Sequence, residues 1–329
     1  LKKSEQSEDM KPIYPDLQAM VLAAGFGTRL WPLTATLAKP AVPFLGKGLV
    51  THGVDLLLSH HVKNICVNTH YQADSVRKCL DGRPVFFSHE EKILGTAGAI
   101  RQAVDLGHLT ANSDIMVFNG KLFTDVNIEQ VYQFHRERDA AVTMVLRRNP
   151  AKAAFREILC EEERVIGFGE GREPKGDNPL LFTGIHVLSP EVIEKIPPGN
   201  SDTIRDIYPP FIHSKRVYAF IDNSKFWWEF STLQRYVDLH VEARAEGLTD
   251  RNTISPDARI ASGAKLENCI VWANSEIPGN CELNEVIVGQ DVVVPSGTRL
   301  KRHAIVRKSQ ILELERGYIE GEYVFVPLA

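Results

Sequence analysis

The chain has 329 residues, 43% of them hydrophobic and 24% charged, with a formal net charge of −4. That is the profile of a globular protein with room for one large domain and a smaller one. It lacks the basic excess of a nucleic-acid binder and any apolar run of 18 residues that would span a membrane. Residues 1–16 are polar, have no apolar core like that of a signal peptide, and read as a flexible leader. From there, 17–24 ("LQAMVLAA") reads as a buried strand and "GFGTRLWPLT" as a loop. "VDLLLSHH" reads as the middle of a helix, 62–69 as a second strand, and "QADSVRKCL" as a helix. A third strand over 84–89, a helix opening at "TAGAI", a fourth strand "DIMVF", the helix "NIEQVYQFHRER" and the strand "AAVTMVLRR" follow. Strands alternating with helices predict an α/β fold with a mainly parallel, Rossmann-like sheet covered on both faces. Four shorter strands between 151 and 230 read as an added, lid-like region. A helix over 232–247 closes this domain, taken as 17–248.

Near residue 250 the pattern changes. Ile254, Ile260 and Leu266 fall six residues apart, as do Val288, Val294 and Leu300, with the turns "IPGNCEL" and "VPSGTRL" between them. Aliphatic anchors at a period of six predict a short parallel β-helix of about three coils over 249–329, its open edge capped by the last twenty residues. Such a segment is suited to subunit contacts, hence a homo-oligomer. The five cysteines, Cys66, Cys79, Cys160, Cys269 and Cys281, are scattered and show no CxxC spacing. That argues against a disulfide framework or a zinc site and fits a reducing, cytoplasmic setting.

The chemistry lies in "LAAGFGTRLWPLTATLAKPAVPFLGK", Leu22 to Lys47. Gly25 and Gly27 follow a buried strand, and their missing side chains let backbone N–H groups approach an anion. Arg29 adds a guanidinium fork suited to phosphate and Lys39 a second cation. A strand-tip loop of this kind is a polyphosphate cradle. It is neither a Walker A loop, since GxxxxGK[ST] is absent, nor a dinucleotide fingerprint, since the third glycine position is Leu30.

The full string resembles the signature of the sugar-1-phosphate nucleotidyltransferases, also called nucleoside-diphosphate-sugar pyrophosphorylases, with only the first Pro of their PKP altered, to Ala38. "LGTAGAI" (94–100), "LLFTGIHVLSPEVIEKIP" and "FWWEFSTLQRY" resemble further family segments in the same order. The resemblance covers residues 17–310 and is greatest to the mannose-1-phosphate guanylyltransferase and glucose-1-phosphate thymidylyltransferase group. It implies a left-handed C-terminal β-helix and a reaction in which a nucleoside triphosphate and a sugar 1-phosphate give a nucleotide sugar and pyrophosphate. It implies that Leu22, Ala24, Gly25, Gly27, Thr28, Gly95 and Thr96 surround the nucleotide. Glu90, or its neighbour Glu91, is implied to read a base edge. Asn119, Glu170, Thr183 and Gly184 are implied to meet the sugar, and Arg29 and Lys39 to neutralise the phosphates. Guanine is the first expectation for the base, with uracil or thymine next, and mannose or another hexose for the sugar.

Lys121 departs from this pattern. The family has Asp here ("NGD"), and that Asp with the Asp of W-x-D is implied to hold Mg²⁺. This chain has Lys121 and Glu229. Arg156 stands where the family has Gly, and E-K-P reads Glu170-Gly171-Arg172. Three readings follow. Lys121 supplies the metal's charge, in contact with phosphate or Glu229; or Asp125 and Glu229 rebuild an Mg²⁺ site; or the site binds nucleotide sugar without turnover and the chain is a regulatory paralogue. A glycosyltransferase reading lacks the D-x-D metal motif it would usually need.

Overall fold

The computed structural model describes residues 17–151, 153–250 and 252–328; the leader read over 1–16 lies outside them. The chain opens with β1 (Gln18–Leu22), a small hairpin β2 and β3 (Pro43–Phe44, Lys47–Gly48) and α1 (Leu49–Ser59). β4 (Asn64–Thr69), α2 (Ala73–Cys79), β5 (Phe86–His89) and α3 (Gly95–Asp105) follow. Next come β6 (Ile115–Asn119), β7 (Leu122–Thr124), α4 (Ile128–Glu137) and β8 (Val142–Arg148). β9 (Glu157–Glu161), β10 (Arg164–Phe168) and β11 (Leu180–Leu188) are the first three of the four strands read between 151 and 230. The short helices α5 (Pro190–Glu194) and α6 (Tyr208–His213), strands β12 (Val217–Ile221) and β13 (Trp227–Glu229), and α7 (Leu233–Ala245) complete this part.

Nine of these strands make one sheet in the order β5-β4-β1-β6-β11-β8-β12-β10-β9. Successive residues of β1 serve opposite faces: Ala19 and Val21 enter one apolar core, Met20 the other. Burial on both faces explains why β1 reads as an unbroken apolar run instead of an alternation. The prediction of a mainly parallel sheet needs correction. β5–β4, β4–β1, β1–β6 and β8–β12 are parallel, but β11 runs antiparallel between β6 and β8, and β10 antiparallel between β12 and β9. The sheet is therefore mixed. β9–β10 and β12–β10 need no crossover helix, so the βαβ alternation ends once α4 has passed. Helix starts follow local chemistry. Asn127 accepts a hydrogen bond from the Gln130 backbone N–H (2.9 Å) at the start of α4, and Thr232 accepts one from Arg235 (3.1 Å) at the start of α7.

Beyond α7, the short strands β14 (Thr253–Ile254), β15 (Arg259–Ile260), β16 (Lys265–Glu267), β17 (Ile270–Val271) and β18 (Glu276–Ile277) lead into the longer β19 (Glu282–Val288) and β20 (Arg299–Arg307). β14, β15, β16, β17 and β19 each pair in parallel with the strand 17 residues on: Ile254 with Val271, Val271 with Val288, and Val288 with Ile305. Ile260 sits beside Ile277, and Leu266 beside Leu283, itself beside Leu300. The hexad anchors are thus three faces of one coil, stacked by three parallel ladders into a β-helix. β22 (Tyr323–Pro327) then runs antiparallel along β20, with β21 (Tyr318–Glu320) outside it. The β-helix shares a core with the loop after β1. Trp31, Leu33, Phe44 and Tyr236 pack with Ile270, Trp272 and Val306, and the Trp272 indole N–H donates to the Tyr236 hydroxyl (3.2 Å). Among the described residues no helix is long and apolar enough to cross a membrane.

Candidate active site

Register puts Leu22, Asn68 and Asn119 side by side at the carboxyl ends of β1, β4 and β6. Strand tips of this kind are where α/β sheets bind ligands. A cleft of ≈ 380 Å³ opens there, lined by Leu22, Ala24, Gly25, Gly27, Thr28 and Arg29 on one side and by Glu90, Gly95 and Thr96 on the other. Arg29, Asn119 and Lys121 are shared with a second cleft of ≈ 740 Å³, lined by Thr183, Gly184, Trp227 and Glu229 and by several arginines. The two form a continuous trough with Arg29 and Lys121 at its waist.

The loop after β1 is shaped by a close approach. Gly27 has φ +67°, and a Cβ there would lie 2.6 Å from Cβ of Lys39, so the loop folds directly onto that lysine. The Gly25, Phe26 and Gly27 N–H groups have no acceptor among the described residues and remain available to an anion. Asn68, which the sequence reading missed, ties the floor together. Its side-chain oxygen accepts from the Ala23 N–H (2.6 Å), and its amide donates to Glu90 (2.6 Å). The other Glu90 oxygen accepts from the Leu94 N–H (2.9 Å). Glu90 is buried, and both its oxygens are held by the protein, so it braces the cleft wall. An asparagine closing a buried strand, as in β6, was the available signal for Asn68.

Thr96 also faces inward to the fold. Its hydroxyl accepts from the Thr203 N–H (2.8 Å), and the Ser201 carbonyl accepts from the Ala97 and Gly98 N–H groups. The start of α3 is thereby closed by the 201–203 loop, while Gly95 and Thr96 still line the cleft. In the second cleft, the Thr183 hydroxyl donates to the Val145 carbonyl (2.7 Å) at an irregularity in β11. Thr183 thus shapes the wall with its backbone. Gly184, at φ +87°, lies against the Asn119 carboxamide, which a Cβ would meet at 2.1 Å. Glu170 stands exposed beyond β10 and is absent from the lining of either cleft.

Lys121 is no solvated charge. β13 pairs with β7 so that Glu229 lies opposite Leu122, beside Lys121. The Lys121 ammonium lies 2.8 Å from Glu229 Oε1, and that of Lys39 lies 3.4 Å from the same oxygen. Burial alone would raise the Glu229 pKa, but Lys121 and then Lys39 outweigh it and hold the carboxyl below its ordinary value. Lys39 is 7% exposed. Burial first, then repulsion from Lys121, lowers its pKa to about 8, against the opposing pull of Glu229. Arg29 has no hydrogen bond or ion pair among the described residues and faces the trough.

These donors do not fit Mg²⁺. The ion takes hard oxygen ligands, commonly one or two carboxylates with phosphate. Glu229 already receives two ammonium groups. Asp125 follows the end of β7, three residues from Leu122, is exposed, and accepts from the Phe226 N–H (2.7 Å) at the far end of the β7–β13 pair. The expected Asp125–Glu229 pair is therefore not brought together. Among the described residues no three His, Cys, Asp or Glu side chains are grouped to hold a metal.

Comparison with known proteins follows the same outline. The nucleotidyl transferase family profile matches residues 18–246, and a GlmU-like C-terminal hexapeptide profile matches 245–305. The chain is 29% identical to a mannose-1-phosphate guanylyltransferase of Mycobacterium tuberculosis over 295 residues, 86% of this chain and 78% of that protein. It is 25% identical to mannose-1-phosphate guanyltransferase beta-B of Xenopus laevis over 94% of this chain and 95% of that protein. It is 26% identical to the mannose-1-phosphate guanyltransferase of Schizosaccharomyces pombe over 93% and 94%. With some seven-tenths of its length matched by one profile, the chain belongs to the nucleotidyl transferase family.

Proposed function

We propose that the protein joins a nucleoside triphosphate to a hexose 1-phosphate, releasing pyrophosphate. GTP and mannose 1-phosphate are the first pair, by analogy with the names of its relatives; UTP or dTTP with glucose 1-phosphate come next. In this reading the sugar phosphate oxygen attacks the α-phosphorus, and the bond to the bridging oxygen of the leaving pyrophosphate breaks. No side chain of the protein acts as nucleophile. The protein's part is positioning and charge neutralisation. The N–H groups of Gly25 to Gly27 cradle phosphate, Arg29 holds the departing pyrophosphate, and Lys39 and Lys121 face the reacting centre. Asn119 and Gly184 meet the sugar.

The observation that carries this reading is the Lys39–Glu229–Lys121 bridge beside Arg29. Glu229 keeps two ammonium groups fixed at the waist of the trough, where the resemblance leads one to expect a protein-held Mg²⁺. Lys121 thus supplies charge that a metal would otherwise supply. The same substitution supports a second reading, a nucleotide-sugar-binding regulatory paralogue. Further parts of the proposal are the division into a catalytic unit over 17–248 and a β-helical unit over 249–329. The β-helix is left-handed and supports a homo-oligomer through its first coil, whose Ile254 is exposed. A cytoplasmic location accords with five free cysteines.

The test is pyrophosphate release with GTP, UTP and dTTP, each against mannose and glucose 1-phosphate, with Mg²⁺ and with EDTA. Release that persists in EDTA is expected. Release that EDTA abolishes would return Glu229 to a metal-binding role. Nucleotide-sugar binding without release would favour the regulatory paralogue.

A further inference from the structure

The ≈ 740 Å³ cleft beyond the waist is strongly cationic, and its charges are unequally satisfied. Arg147 is neutralised by Asp222 (2.6 Å), and Arg235 by Glu242. Glu229, the one carboxylate of the lining, already bridges Lys39 and Lys121. Arg148, Arg156 and Arg172 remain. Arg148 closes β8, and its side chain, like that of Arg172, has no hydrogen bond or ion pair among the described residues. Arg156 is fixed without being neutralised. Its Nε donates to the Gly169 carbonyl (2.8 Å), and its guanidinium lies 5.2 Å from the centroid of the Phe168 ring.

A simple hexose 1-phosphate carries one anionic group, which must lie at the waist for reaction, beside Arg29 and Lys121. The hydroxyls of such a sugar can accept hydrogen bonds, but no charge on it answers three further guanidinium groups. Arginines scattered on a convex surface would need no explanation, but these three, although each is exposed, line one concavity whose only carboxylate among the described residues is spent. Guanidinium forks are suited to carboxylate and phosphate. Resting on the reading under Proposed function, we propose that this cleft selects a sugar 1-phosphate with a second anionic group, bound by Arg148, Arg156 and Arg172. That group is a carboxylate on the ring or a second phosphate.

The experiment compares kcat/KM for a hexose 1-phosphate, the matching hexuronic acid 1-phosphate and the hexose 1,6-bisphosphate, each with the best nucleoside triphosphate. Roughly tenfold to hundredfold preference for one of the doubly anionic substrates is expected, carried mainly by KM. Whichever wins distinguishes carboxylate from phosphate. Arg148→Gln, Arg156→Gln and Arg172→Gln should each erode that preference, raising KM for the acidic substrate more than for the neutral one. Equal or better use of the neutral sugar overturns the proposal. If no sugar turns over, the nucleotidyl transfer reading fails, and calorimetric titration of the same three sugars, with a non-hydrolysable triphosphate present, decides this one. Tighter binding of an acidic sugar sustains it, and equal affinities overturn it.

Discussion

The two halves of the trough would meet an anion differently. On the β1 side the available donors are backbone: among the described residues the N–H groups of Gly25 to Gly27 have no acceptor, and the side chains beneath them, Asn68 and Glu90, are engaged in bracing the wall. On the β8–β11 side the backbone is engaged, with the Thr183 hydroxyl and carbonyl bonded to Val145 and Trp227, and the binding capacity lies in long arginines. A backbone cradle fits one shape, the phosphate chain that every nucleoside triphosphate shares. Flexible guanidinium groups suit whatever the sugar carries. Under the proposed function, the difference means that nucleotide binding would be built into the fold of the loop, whereas sugar choice would rest on a few exchangeable side chains.

The comparison can be broken first at the waist. Arg29→Ala should cost about 10²–10³ in kcat, read by pyrophosphate release, since it removes a donor aimed at developing charge. Lys121→Ala should cost about 10² in kcat and also loosen Glu229, leaving only the longer Lys39 contact. The pH profile sharpens the same point. Lys39 must be protonated to neutralise phosphate, so kcat/KM should hold below its lowered pKa of about 8 and fall above it. Repulsion from Lys121 is one cause of that lowering, so the alkaline limb should move to higher pH in Lys121→Ala. A limb that does not move would separate Lys39 from the profile.

Smaller effects distinguish the halves. Gly27→Ala meets both a left-handed backbone and Lys39 Cβ, and should destabilise the fold by about 1–3 kcal/mol, read by thermal unfolding, while weakening triphosphate binding. Thr183→Val, in the other half, removes a buried hydroxyl that bonds only to backbone. It should cost about 1 kcal/mol of stability with little change in KM for the sugar, because the hydroxyl faces the sheet.

The β1 side was legible in the sequence because its chemistry is local. The cradle glycines, Arg29 and Lys39 lie within one stretch, and an apolar run before a glycine loop marks a strand tip. The β-helix was legible for a similar reason: six-residue spacing is the geometry of a coil face, although the 17-residue register appears only when the coils stack. What depends on distant pairing was hidden. Nothing local says that β11 runs antiparallel beside β6, that Glu229 is delivered to Lys121 by β13, or that Asp125 ends on the Phe226 backbone. The resemblance implies that Glu90 and Thr96 contact the nucleotide, and both line the cleft, yet their side-chain oxygens are already bonded to Asn68, Leu94 and Thr203. Residue type did not reveal which side chains the fold had already satisfied.

The central claim is that an ammonium pair bridged by Glu229 performs the charge work of nucleotidyl transfer. Its most direct test is single-turnover pyrophosphate release by the intact protein and by Lys121→Ala, side by side, in EDTA. The account predicts release by the former and about a hundredfold slower release by the variant. Equal rates in the two proteins, or release from neither until Mg²⁺ is restored, would contradict it.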